Sequence, residues 1–279
     1  MQDIAPVLVR FLMYPLLALL IMYAAKSLDD ARTPFKEDAE ITGNQNLAIA
    51  LRKGGIYLGL ALGLSGAMWG TSGSMLQDVL AFIKTGAVMI AALFVAFLVN
   101  DRVILRKVDN DKAVAAGNTA LGLVELASYV GSGIIMHGSF SGEGGGLLAA
   151  AVFFLLGQAG LVCAFFLYEL LTPRRIGDEI DQKGNTAEAI DVAGMLIAFA
   201  LILRASIAGP FTGWIAGIQG FALYFAVGLF FLLPYRFLGN RLFARHISYD
   251  REIVHNNLAV AALSSSIQVA IALVIAGVN

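Results

Sequence analysis

Ionisable side chains are scarce in this sequence, and several stand inside long apolar runs, where each must pair or work because an unpaired charge in hydrocarbon is costly. Their spacing follows four asparagines. Lys53 and Glu125 lie seven residues after Asn46 and Asn118, Asp191 lies six after Asn185, and Ser264 lies seven after Asn257. Seven helical residues rise about 10 Å. If the four segments surround one axis, these side chains form an inner layer in which a lysine and two carboxylates come within pairing reach, with Arg52 beside them. Such a layer is either an ion-pair network that fixes helix register or an ion path. In the second reading Glu125 and Asp191 bind a cation or proton and Lys53 is an exchangeable counter-ion.

A second set has a single sign. His137 and Arg204 both lie nineteen residues after their asparagine, while Arg10 and Lys84 precede Asn46 and Asn118 by 36 and 34. Together they would make an electropositive outer vestibule for an anion or lipid phosphate; separately, they snorkel or pair. His137, beside Gly138 at the edge of an apolar run, reads as an interfacial histidine more readily than as a pH switch.

Signals for other chemistry are missing. No Ser-His-Asp, His-Glu-x-x-His or Walker pattern occurs, and the glycine-rich run 138–146 lacks the Gly-Lys-Ser/Thr ending of a phosphate cradle. His246 and His255 have no partner at metal-ligand spacing, so neither a metal nor a cofactor is expected and enzymatic activity is disfavoured. Cys163 in Leu-Val-Cys-Ala-Phe-Phe reads as a small packed hydrophobe. A formal net charge of −1 gives nucleic acid nothing to bind.

The elements that must hold these residues follow from composition. The chain is 279 residues long, 58% hydrophobic and 14% charged, with a mean hydropathy of +0.78, whereas soluble domains carry roughly 25% charge. Lipid is therefore the expected partner. A bilayer core needs roughly 20 apolar helical residues, and runs of that kind fall at 6–25, 46–68, 74–99, 117–137, 147–171, 185–209, 211–234 and 257–277. The expected fold is all-α, a polytopic bundle of about eight spans, with the first run retained rather than cleaved.

Segments 26–45, 100–116, 172–184 and 235–256 hold fourteen of the nineteen Lys and Arg residues, Arg106, Lys107, Arg236 and Arg245 among them. Connections 69–73, 138–146 and 210–213 hold none. The positive-inside rule then puts the charged segments in the cytosol and both termini outside. After each charged segment the chain returns through Asn-x-Ala at Asn46, Asn118, Asn185 and Asn257, spaced by 72, 67 and 72 residues. Each asparagine is placed to cap its helix.

Four parallel two-helix units are expected at 1–68, 74–137, 147–209 and 211–279, with halves 1–140 and 141–279. Gly55, Gly59 and Gly63, four apart, and Gly213 and Gly217 form the small-xxx-small pattern of close helix packing, within the chain or in a homo-oligomer.

The phrases GNTALGLVELASYVG, GNTAEAIDVAGMLIAFALI and NNLAVAALSSSIQVAIALVIAG, each after a charged loop, resemble the bacterial membrane family called Domain of Unknown Function 350. Its typical members look like four-span proteins of two units, so this chain departs by carrying four. The resemblance implies a multi-pass protein of the bacterial cytoplasmic (inner) membrane and brings no catalytic residues. Two functions are carried forward. One is a channel or carrier for a small ion or polar solute, working through the buried charges. The other is a membrane scaffold or envelope-stress component that recruits a soluble cytoplasmic partner through the charged loops.

Overall fold

Long apolar segments with no water to bond their backbone must satisfy it internally, and all of them here are helical. The computed structural model describes residues 4–33, 35–67, 74–104, 108–142, 144–243 and 245–278, and among these it contains no strand. Arg106, Lys107, the side chain of Arg236 and the 69–73 connection lie outside the described residues.

Eight long helices are apolar enough to span a bilayer: α1 (Ile4–Arg32), α3 (Leu47–Ala67), α4 (Met75–Val99), α6 (Thr119–Phe140), α7 (Gly146–Leu171), α9 (Thr186–Ile207), α10 (Trp214–Phe243) and α12 (Leu258–Ala276). Between them lie four short helices: α2 (Glu37–Gly43), α5 (Asn110–Ala115), α8 (Ile176–Asp181) and α11 (Tyr249–Val254). Among the described residues the fold is thus all-α and multi-pass, with eight candidate spans.

Some helices run further than apolar length suggests. α1 continues to Arg32 because its last turns close Lys26–Asp30 and Arg32–Asp29 ion pairs at helical spacing. α4 is prolonged by a π turn over Asn100–Ile104. The helices form two rows. The return helices α3, α6, α9 and α12 pack successively, and α1, α4, α7 and α10 lie alongside them in the same order. α3 and α12 are the two ends of the inner row, so the return helices do not close around an axis.

Glycine sets the spacing of the inner row. A Cβ on Gly55 would lie 2.7 Å from the Leu126 backbone, one on Gly59 2.5 Å from the Tyr129 carbonyl oxygen, and one on Gly133 2.5 Å from the Gly59 Cα. Gly63 faces Met136, so the stripe Gly55–Gly59–Gly63 joins α3 to α6 inside one chain. Gly217 does pack, against the Phe153 ring. Gly213 does not: it precedes α10 with φ +119, a left-handed backbone that suits glycine, and its carbonyl accepts from the Gly217 N–H. Cys163 is exposed on α7 instead of packed inside, because its side faces away from the neighbouring helices.

Candidate functional site

One joint occurs four times. Each short helix is followed two or three residues on by one with positive φ, namely Gln45 (53°), Gly117 (84°), Gly184 (58°) and Asn256 (58°). Each is followed at once by the return asparagine, whose backbone N–H donates back to the short helix, to the carbonyls of Glu40, Ala113, Glu179 and Glu252. The asparagine side chain then caps the long helix. Its oxygen accepts from the N–H three residues on, at Ile49, Leu121, Glu188 and Val260 (3.2, 3.1, 3.0 and 3.3 Å). This much is the cap expected of the residue type.

The side-chain amide does something spacing did not suggest. Asn46 donates to the Val114 carbonyl at 3.0 Å, Asn118 to Ile180 at 3.0 Å and Asn185 to Ile253 at 2.9 Å. Each cap therefore binds the end of the next short helix. Asn257 instead donates to Glu252 of its own loop at 2.9 Å.

Charge gathers at the same end of the bundle in separate networks. Between α1, α2 and α3, Lys53 contacts Asp30 at 2.5 Å and also Glu37, and Lys26 reaches Asp30 at 2.6 Å and Asp38 at 2.9 Å. Between α1, α3, α5 and α6, Arg52 contacts Asp111 at 2.7 Å and Glu125 at 3.5 Å, while Arg32 reaches Asp29 at 2.9 Å and Asp111 at 3.8 Å. Arg52 and Glu125 are fully buried, and their contact is ionic without a hydrogen bond. Further along the row, Arg174 pairs with Glu188 and with Asp250, the latter at 2.7 Å. Asp191, also fully buried, accepts from Tyr168 at 2.5 Å and from the Gln268 amide at 2.7 Å, and Gln268 donates to Ser264 at 3.0 Å.

The proposed inner layer is thus divided. Asp191 and Ser264 share Gln268, but Glu125 belongs to Arg52, and Lys53 pairs with Asp30 and Glu37 of its own connection. The outer cations do not gather in one place either, although Arg204 packs against Gly138, the neighbour of His137. Arg10 pairs with Asp78 at 3.4 Å, Lys84 and Arg204 are exposed, and His137 Nδ1 lies 2.9 Å from the Ser65 hydroxyl. The physical reason is the open row: equal height on successive helices does not bring side chains together when the helices do not circle a centre.

Asp111, Arg174, Tyr168 and Gln268 carry these networks and had no local pattern to reveal them, except that Gln268 stands one turn after Ser264. Outside the spans, burial raises the proton affinity of Glu37 against the pull of Lys53. Glu188 and Asp250 keep Arg174 charged despite burial, which opposes it first.

Two further features adjoin Glu125. One is a cavity of about 550 Å³ between α1, α3, α4 and α6, apolar except for Asp29, Arg32 and Tyr129. The other is a buried stripe on α6, Glu125, Tyr129 and Ser132 at successive turns, where Ser132 accepts from Gln158 at 3.2 Å.

Fold and site together define a multi-pass helical membrane protein with paired charge buried near one end of its spans. The family model described as Domain of Unknown Function (DUF350) matches the chain twice, over residues 3–140 and 143–278. The chain belongs to that family. It is similar to a "UPF0719 transmembrane protein" of Aquifex aeolicus (strain VF5), 24% identical over 243 residues that cover 86% of this chain and 88% of that protein. No solved structure matches.

Proposed function

We propose that the chain is a conduit or carrier for a proton or small monovalent cation, working from the side of the charged segments. One observation carries this reading. Among the described residues, each of the three networks that join more than two charges holds one carboxylate more than it holds cations, whereas Arg10–Asp78, Lys112–Asp109 and Lys183–Glu179 pair one to one. Lys26 and Lys53 face Asp30, Glu37 and Asp38; Arg32 and Arg52 face Asp29, Asp111 and Glu125; Arg174 faces Glu188 and Asp250. Glu37, Glu125 and Glu188 are buried while Asp38 and Asp250 are more than half exposed, and the buried carboxylates, which water does not reach, are the ones relieved by taking up a proton or a cation. A surplus that recurs along the row is a reason to read the networks as ion sites rather than as register pins alone.

The route we favour starts at the half-buried Asp111, passes Arg52 to Glu125, and follows Tyr129 and Ser132 along α6, with Gln158 of α7 beside Ser132, toward the Ser65–His137 contact. With the positive-inside rule, the Asp111 end faces the cytosol of a bacterial inner membrane and both termini lie outside. Purified protein in proteoliposomes, given a proton, sodium or potassium gradient, is expected to dissipate at least one of them. A Glu125→Gln, Asp191→Asn double variant is expected to lose flux at least tenfold while keeping its helicity and its elution profile. Wild-type flux in the folded double variant, or silence of the wild type with all three ions, overturns the reading.

A second reading rests on a different observation, the bonds that tie each charged segment to the next: Asn46–Val114, Asn118–Ile180 and Asn185–Ile253, with Arg174–Asp250 beside the last. A plate held this way suits a scaffold that recruits a soluble cytoplasmic partner. Pull-downs in which segments 108–116 and 245–256 are exchanged distinguish it, because a scaffold fails when loops change and a conduit fails when buried charge changes.

A further inference from the structure

The inner row stops at α12 without any change in the kind of surface it presents. Counted from the return asparagine, positions 2, 6, 9, 13 and 17 form the face that each return helix offers to the next. On α3 they are Ala48, Arg52, Gly55, Gly59 and Gly63, on α6 Ala120, Val124, Ala127, Gly131 and Ile135, and on α9 Ala187, Asp191, Gly194, Ala198 and Ile202; all fifteen are buried. On α12 the same positions are Ala259, Leu263, Ser266, Ala270 and Val274, and all five are exposed, Leu263 at 40% and Val274 at 72%.

The other end is open in the complementary sense. Positions 4, 11 and 15 receive the preceding helix and are buried on α6 (Gly122, Tyr129, Gly133), α9 (Ala189, Leu196, Ala200) and α12 (Ala261, Gln268, Ala272). On α3 they are Ala50, Tyr57 and Ala61, only half-buried. A Cβ added at Gly54, position 8, would meet nothing within 4 Å, whereas the equivalent Leu126 and Ser265 backbones lie within 2.7 Å of where Cβ atoms on Gly55 and Gly194 would stand. The Asn257 amide, turned back on its own Glu252, likewise lacks the following short helix that the other three caps bind.

We propose that α12 of one chain docks on α3 of a second copy, extending the inner row from molecule to molecule. The occupant is a copy of this chain because the exposed face of α12 continues an interface that the chain already builds three times, and α3 is the surface that lacks its preceding helix. Small residues at the contact permit the close backbone approach that drives helix association in lipid. The contact is heterologous, so rows close into rings or extend according to the rotation per molecule. The inference does not depend on ion movement.

The internal contacts give the register. Gly122 lies against Ala48 and Gly133 against Gly59, which pairs position 4 with position 2 and position 15 with position 13. Across molecules this places Ala50 against Ala259 and Ala61 against Ala270. In a Cys163→Ser background, chains carrying Ala61→Cys and chains carrying Ala270→Cys are co-expressed and oxidised in native membranes. A mixed disulfide dimer is expected, with none from either variant alone and a ladder of higher species when both cysteines occupy one chain. Ala270→Trp, which fills an exposed site, is expected to shift the protein in nanodiscs from oligomer to single chain. The proposal is overturned by failure of the mixed cross-link, by Ala270→Cys joining itself in a two-fold contact or joining a different membrane protein, or by a wild type that is single at every concentration.

Discussion

Glu37 shows at the scale of one residue how burial and pairing compete. It is 2% exposed beside Lys53, and desolvation outweighs the ammonium, so the folded chain holds this proton to higher pH than an ordinary glutamate does. The folded state is then the better proton binder. Stability from this group is present below the ordinary glutamate range, about 4.3, and is lost as pH rises through the raised value. The thermal midpoint of the wild type relative to Glu37→Gln is expected to be most favourable near pH 4 and to decline toward pH 7. A difference that stays constant or grows with pH would show that Lys53, not burial, governs the site. Arg52 and Glu125 make the same point more sharply. Spacing from Asn46 and Asn118 gave each a height along its helix, but Asp111, the second carboxylate on Arg52, sits on a separate short helix with no sequence signal tying it to either.

At the scale of the element, the joint before each return helix is the most repeated structure in the chain. Its left-handed residue is glycine at 117 and 184 but glutamine at 45. A side chain in that conformation costs about 1–2 kcal/mol, part of which glycine returns through its greater freedom when unfolded. Gln45→Gly is expected to raise stability by about 1 kcal/mol and Gly117→Ala to lower it by a similar amount, as read from unfolding in detergent. Equal effects of the two changes would contradict the shared joint.

The eight spans and the capping asparagines were legible because twenty apolar residues and an Asn-x-Ala start are local signals. The short helices were not, since six or seven residues inside a charged loop carry too little periodicity, and they hold through tertiary bonds such as Asn118 to Ile180. The role of Gly213 was misread for a related reason: the four-residue spacing to Gly217 does not tell whether the helix has already begun, and here it starts at Trp214.

At the scale of the molecule, the sequence specified heights in the membrane and left the arrangement of helices around one another open. Matching positions suggested a ring of charge, whereas the return helices stand in a row and each charge finds partners at its own junction. What unifies the account is the side on which this happens. α2, α5, α8 and α11, the caps that tie them and the networks around Lys53, Arg52 and Arg174 share one end of the bundle, and the buried Asp78 paired with Arg10 stands at the other.

The most direct test introduces single cysteines into a Cys163→Ser background at Lys112, Lys183, His255, Thr212 and Val278, followed by an impermeant maleimide on right-side-out and inverted vesicles. The account predicts that positions 112, 183 and 255 react only in inverted vesicles and that 212 and 278 react only in right-side-out ones. Labelling of 112 and 255 from opposite faces would contradict the parallel row, the ion route and the docking of one row on the next.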